Sequence, residues 1–145
     1  MEIKNEAQLR KFLMGKCVKA VASTERKVHE EFADNLNQFY SEFSPEEYIR
    51  TGALLGSLES TGVAQSGDSV TAEVRFNTPH YAKGWVNLQN GGYGLACWSD
   101  QKILDTAMAG SHGGYEDGTA IWTDSMIKLG GRQGIKNLLI QELKK

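Results

Sequence analysis

Ser111 and His112 stand together in the run Gly110-Ser111-His112-Gly113-Gly114, and a serine beside an imidazole in a glycine-rich stretch raises the possibility of nucleophilic catalysis. The spacing argues against it. A nucleophile elbow requires GxSxG at a strand-to-helix turn, whereas side chains of adjacent residues diverge, so the base would have to be a different histidine, His80. The three histidines, His29, His80 and His112, have none of the spacing of HExxH or zinc-ribbon sites. His29 sits beside Glu30 and Glu31 and reads as a solvated helix residue. His80 follows Pro79 and reads as a turn residue. Gly113-Gly114 lacks the Lys-Ser or Lys-Thr that completes a phosphate loop, and Gly91-Gly92-Tyr93-Gly94 lacks dinucleotide-binding spacing. Asp100, Asp105, Glu116, Asp117 and Asp124 read as turn formers and solubilisers rather than a glycosidase pair. No catalytic, cofactor-binding or metal residue is therefore assigned, and no cofactor is expected.

Trp85, Trp98, Trp122, Tyr93 and Tyr115 gather in the later half of the chain. Aromatic side chains at this density belong to a core or a protein interface, with stacking on sugar rings as the competing use. A formal net charge of -2 and a pI of about 5.9 give no field to hold a nucleic acid. The 145 residues fit one domain able to bury a core without staples. No apolar run approaches the roughly 18 residues of a membrane span, and the start, Met1-Glu2-Ile3-Lys4-Asn5-Glu6, has no apolar leader. A chain soluble in the cytoplasm at synthesis is expected, with Cys17 and Cys97 reduced.

The elements that position these residues follow from periodicity. From Glu6 to about Tyr40, Leu9, Leu13, Cys17, Val21, Val28, Phe32, Leu36 and Phe39 form an apolar stripe widened by Phe12 and Val18, which predicts an amphipathic helix. Asn5 and Gln8 form a capping-box-like start. A helix of that length outruns a compact domain of this size. Either it breaks near Gly15 or Ser23-Thr24, or one end overhangs to meet another copy. Ser44-Pro45 predicts a second, short helix limited by Gly52. Leu54 to Ala64 reads as extended, and Val70, Ala72, Val74 and Phe76 alternate with Thr71, Glu73, Arg75 and Asn77 at period two, the two arms pairing antiparallel through Gln65-Ser66-Gly67-Asp68. A further strand is expected over Ala82 to Leu88. Residues 90 to 120 read as a long Gly-rich loop with apolar cargo, Ile121-Trp122 as a returning strand, and Ile135, Leu138, Leu139 and Leu143 as a C-terminal helix entered through Gly134. The class is α+β: a long N-terminal amphipathic helix packed on a small antiparallel sheet, the loop, and a closing helix.

The joint between helix and sheet carries the most specific pattern. Tyr48-Ile49-Arg50-Thr51-Gly52-Ala53-Leu54-Leu55-Gly56-Ser57 places an aromatic before Arg-Thr-Gly, then Leu and Ser at short spacing. Arg50 has a fork of donors for a junction, with Glu46 and Glu47 within reach on one helical turn. Together with the long helix, the hairpin through Phe76 and Asn77-Thr78-Pro79-His80-Tyr81-Ala82, this joint resembles the tail-completion and head-tail joining proteins of tailed bacteriophages. The resemblance implies a non-enzymatic subunit that forms rings in a virion tail or neck and assembles in the bacterial host. Its partners would be copies of itself and neighbouring tail or connector proteins, without nucleic acid or membrane. Tyr48, Arg50, Thr51, Leu54 and Ser57 would brace the joint, and the region after Tyr81 would face other subunits. Tyr93, Trp98, Met108, His112 and Tyr115 are the candidate interface residues. Where that family continues with Glu-aromatic-Gly-Thr, this chain has Gly84-Trp85-Val86-Asn87-Leu88. A small carbohydrate-binding or adhesive module and a hydrolase using Ser111 or His112 are the alternatives.

Overall fold

The first helix, α1, runs without a break from Glu6 to Glu42, so of the two alternatives the break near Gly15 or Ser23-Thr24 is not the one taken. At 37 residues it is about 55 Å long. The computed structural model describes residues 3–42, 54–77, 85–88, 92–95, 100–110 and 118–145. The start of α1 is closed by its own side chains. Asn5 Oδ1 accepts the Gln8 backbone N–H at 2.9 Å, and Gln8 Oε1 accepts the Lys4 N–H at 2.9 Å, one residue earlier than in a standard capping box. The other end finishes on Glu42, where a carboxylate faces the unfavourable end of the helix dipole. That charge is used across the fold: Glu42 accepts the Thr119 N–H at 2.7 Å and the Thr119 hydroxyl as well.

After the joint, a short 3-10 turn over Leu55–Ser57 leads into β1 (Leu58–Ser60), β2 (Ala64–Ser66), β3 (Ser69–Thr71) and β4 (Val74–Phe76). β1 pairs antiparallel with β4, Leu58 opposite Phe76, and β2 pairs antiparallel with β3, Ser66 opposite Ser69 across the Gly67-Asp68 turn. These are two parts of one hairpin. Between them the first arm has three residues, 61–63, where the second has two, 72–73, which is the arithmetic of a β-bulge. Gly62 lies in that extra segment with φ +74, a conformation disfavoured for a residue with a Cβ. Its N–H donates to Glu25 Oε1 at 2.9 Å, so α1 holds the bulge. The period-two expectation survives the interruption: Val70, Ala72, Val74 and Phe76 are half-buried, while Thr71, Glu73, Arg75 and Asn77 are exposed. The hairpin lies along the helix. Its turn reaches Arg10 through Asp68, its bulge meets Glu25, and its base sets Phe76 against Phe32 with ring centroids 6.1 Å apart.

A second antiparallel hairpin joins β5 (Trp85–Leu88) to β6 (Gly92–Leu95), and α2 follows over Asp100–Met108. Thus residues 90 to 120 are not the continuous loop expected; they carry a strand and a helix. Leu104, Ala107 and Met108 have the spacing of one helix face and reach the core. The glycine content on either side had masked that short pattern. The strand expected at Ile121-Trp122 is also overturned. Those residues open α3 (Ile121–Lys128), in which Ile121 and Ser125, followed by Leu129 at the helix end, succeed one another at four-residue spacing.

The chain closes with α4, Gly131–Lys144. Its start lies earlier than Gly134, which stands inside the helix. A Cβ at Gly134 would come 1.9 Å from the Leu129 carbonyl oxygen, so the tight α3–α4 corner depends on a missing side chain. The shared core consists of Phe32, Leu36 and Phe39 of α1 with Leu54, Ala107 and Ile121. Helices α1, α2 and α3 and the base of the first hairpin all meet there. Among the described residues, no helix is long and apolar enough to cross a membrane.

Leu36 is 1 % exposed, and Leu36→Ala is expected to lower the unfolding free energy by about 2–5 kcal/mol in urea titration. Gly134→Ala should cost about 1–3 kcal/mol by overpacking. Arg10→Ala, at an exposed contact, should change stability by no more than about 0.5 kcal/mol. Equal urea midpoints for Gly134→Ala and the wild type would contradict the account of the α3–α4 corner.

Candidate functional site

Four elements leave a groove where they meet around Phe32. α1 supplies Phe32, β4 supplies Val74, Arg75 and Phe76, and α2 and α3 supply Leu104, Asp105, Met108 and Trp122, around a volume of about 510 Å³. The groove follows from the local sequence. Val74 and Phe76 point one way because they are two apart on a strand, and Leu104 and Met108 align because they are four apart on a helix. Trp122 is forced to the rim because Ile121 and Ser125 take the inward positions of α3, both at 0 % exposure. The indole stands 5.4 Å from the Phe32 ring centroid with the planes inclined at 52°, yet Trp122 remains 54 % exposed.

The lining is apolar apart from two charged residues. Arg75 Nε lies 3.5 Å from Glu59 Oε2 across the β1–β4 ladder, and Asp105 stands on the α2 side. Such a surface is suited to burying an apolar or aromatic group, with rim charges that orient it. Among the described residues no group of three His, Cys, Asp or Glu side chains is placed to hold a metal ion.

Behind the groove, α3 is locked to α1 by a buried polar cluster that the apolar periodicity alone did not disclose. Asn35, 1 % exposed, donates to Ser125 Oγ at 2.8 Å and to Glu31 Oε1 at 3.2 Å, and accepts from Lys128 Nζ at 2.7 Å. Lys128 also lies 3.4 Å from Glu31. Both amide hydrogens and the amide oxygen of Asn35 are thereby used, as burial of an amide requires. The signal was present in the sequence: Asn35 interrupts the apolar stripe between Phe32 and Leu36.

Of the residues assigned to the joint, Leu54 and Ser57 are buried. Ser57 Oγ donates to the Leu54 carbonyl at 2.7 Å, and the Ser57 carbonyl accepts the Asn77 N–H at 2.7 Å. The serine thus closes the turn while its backbone begins the ladder. Tyr48, Arg50 and Thr51 lie outside the described residues, as does the short helix expected after Ser44-Pro45. Of the candidate interface residues, Met108 lines the groove and Tyr93 lies on β6. Trp98, His112 and Tyr115 lie outside the described residues, with Ser111, His80 and Cys97. Cys17 is a free, half-buried thiol. His29 is half-buried rather than fully solvated.

A second hollow, about 480 Å³, lies between the first half of α1 and the end of α4, lined by Lys11, Phe12, Gly15, Lys16, Lys19, Ala20, Glu142 and Lys145. Glu142 is the fastening of this region. Its carboxylate receives Lys27 Nζ at 2.7 Å and Lys145 Nζ at 2.7 Å, with the side chain 8 % exposed. No protein-family model, no curated protein and no solved structure matches this chain.

The hydrogen bond from Lys145, then that from Lys27, holds the Glu142 carboxyl down from its ordinary 4.5 to about 2. Because the folded value is the lower one, the stabilisation is present above about pH 4.5 and disappears as pH falls through about 2. Glu142→Gln should therefore be less stable than the wild type at neutral pH, and the gap should close across that window. Parallel stability-versus-pH curves for the two proteins would contradict this role.

Proposed function

We propose that this chain is a non-enzymatic structural subunit of a tailed phage or prophage, acting in tail completion or head-tail joining by assembling with copies of itself and with neighbouring tail or connector proteins. The observation that carries the reading is the apolar groove with Trp122 standing 54 % exposed at its rim. An exposed indole over an apolar floor is the composition of an interface anchor, where aromatic residues supply most of the binding energy. The joint residues support the same reading. Leu54 and Ser57, two members of the pattern that resembles the phage family, are buried at the turn that begins the hairpin, as the resemblance implies for bracing residues.

A second reading draws on the same tryptophan. An exposed indole flanked by Asp105 and Arg75 is also suited to stacking on a sugar ring, which would make the chain a small carbohydrate-binding module. The two readings part in solution. Light scattering over a wide concentration range is expected to give a mass several times that of the 16.0 kDa chain, and electron micrographs are expected to show closed rings. Trp122→Ala should weaken self-association while costing the isolated subunit no more than about 2 kcal/mol of stability. A monomer at every concentration that is retained on immobilised oligosaccharide would reject the structural reading in favour of the carbohydrate module.

A further inference from the structure

Glu6, Leu9, Leu13, Lys16 and Ala20 follow one another on α1 in alternating steps of three and four residues, which sets them along a single seam of the helix. Ser23 and Lys27 continue it in the same steps. The later part of the seam is covered by α4. Ala20 is 2 % exposed, and Glu142 accepts hydrogen bonds from Ser23 and Lys27. α4 stops at Lys144, and Lys145 shares a hollow with Lys16 and Lys19. Before that level the seam is bare: Leu9 and Leu13 are 41 % and 50 % exposed, and Phe12 on their flank is 40 % exposed.

We infer that this bare stretch is covered by the same stretch of a second copy, the two α1 ends lying antiparallel about a twofold axis level with Lys11. The order of the residues carries the inference. Centred there, the pairing sets Leu9 opposite Leu13 of the second copy and Glu6 opposite its Lys16, and the twofold repeats both contacts. An apolar centre is thus closed at each end by an ion pair. A parallel pairing in register would bring Glu6 against Glu6 and Lys16 against Lys16, so the charges select the antiparallel one.

Both seam charges are unspent. Among the described residues neither Glu6 nor Lys16 has an ion pair, and the Lys16 ammonium lies 5.7 Å from the centroid of the Phe12 ring. The neighbouring charges do not oppose the contact. Lys4, Lys11 and Lys19 fall outside the steps of the seam, Arg10 is held by Asp68, and Glu142 is taken up by Lys27 and Lys145. The end is already helical and closed by Asn5 and Gln8, so little order is lost on docking. With roughly three turns from each copy, the contact falls short of the ~1,600 Å² of a standard interface, and the dimer it forms is reversible and concentration-dependent. It uses no residue of the groove and does not rest on the function proposed for that surface.

Sedimentation of the full chain carrying Trp122→Ala tests the contact with association through the groove weakened. A dimer is expected. Glu6→Lys and Lys16→Glu, each added alone, place like charges in two layers and should weaken that dimer at least about tenfold. The doubly reversed chain, Glu6→Lys with Lys16→Glu, should recover it, and so should an equal mixture of the two single variants. Leu13→Asp should remove it, with Leu9→Asp as the second apolar variant and circular dichroism to confirm folding.

A dimer unchanged by Glu6→Lys and Leu13→Asp, or one that neither the double reversal nor the mixture restores, overturns the inference whatever the groove does. If Trp122→Ala is monomeric at every concentration while the wild type assembles, the inference is overturned and the groove reading stands. A charge-reversible dimer in a wild type that forms no ring upholds the inference and rejects the ring. Capture of a monomer by vesicles containing anionic lipid, lost on Leu13→Asp, would assign the seam to a lipid surface and overturn the inference.

Discussion

Burial of one stripe of α1, the Phe32, Leu36 and Phe39 face, is the interaction on which the first hairpin, α2 and α3 depend. Among the described residues, the first hairpin, α2, α3 and the joint lay apolar side chains against it: Phe76 and Leu58 from the hairpin, Leu104, Ala107 and Met108 from α2, Ile121 from α3, and Leu54 from the joint. These elements are short. Three-residue strands and a helix of eight or nine residues have too little cooperativity to hold themselves in water. Their order comes from the spine they share, which spans more than the diameter of the core and leaves its first turns beyond it.

Polar groups set orientation within that apolar frame. The hydrophobic stripe alone permits α3 to slide or rotate on α1, because apolar contact is non-directional. The Asn35 cluster removes that freedom. A shift of α3 would take Ser125 and Lys128 away from a buried amide and leave it only Glu31 of its own helix, at a cost larger than the bonds are worth when made. Glu42 at one end of α1 and Glu25 nearer its middle act similarly, receiving backbone N–H groups of Thr119 and Gly62. In each case a side chain of α1 meets the backbone of a segment with little regular structure of its own.

The groove is a by-product of the same packing. Ile121 and Ser125 occupy the inward face of α3, so their neighbour Trp122 is turned outward onto the Phe32 ring, where β4 and α2 stop short of covering it. A large aromatic left 54 % exposed beside an apolar floor is what makes this groove the candidate site.

The strongest periodic signals determined much of this architecture by themselves. The α1 helix, the alternation from Val70 to Phe76 and the closing helix rest on repeated spacing, the Asn5–Gln8 start and the Gly67-Asp68 turn on local residue chemistry, and each stands in the structure, although Leu9, Phe12 and Leu13 of the α1 stripe remain exposed. Where the spacing was brief or interrupted, only tertiary packing decided. Leu104, Ala107 and Met108 become a helix face because a core is present to receive them, and Ile121-Trp122 becomes helical because burying Ile121 and Ser125 against α1 outweighs the β preference of the dipeptide. The Gly62 bulge and the Gly134 approach were likewise illegible, since a glycine in a sequence does not reveal which backbone it will meet. The candidate groove was only partly readable for the same reason: Met108 was singled out for its composition, but Phe32, Phe76 and Trp122 are distant in the chain and become one surface only when the hairpin and α3 dock on the helix.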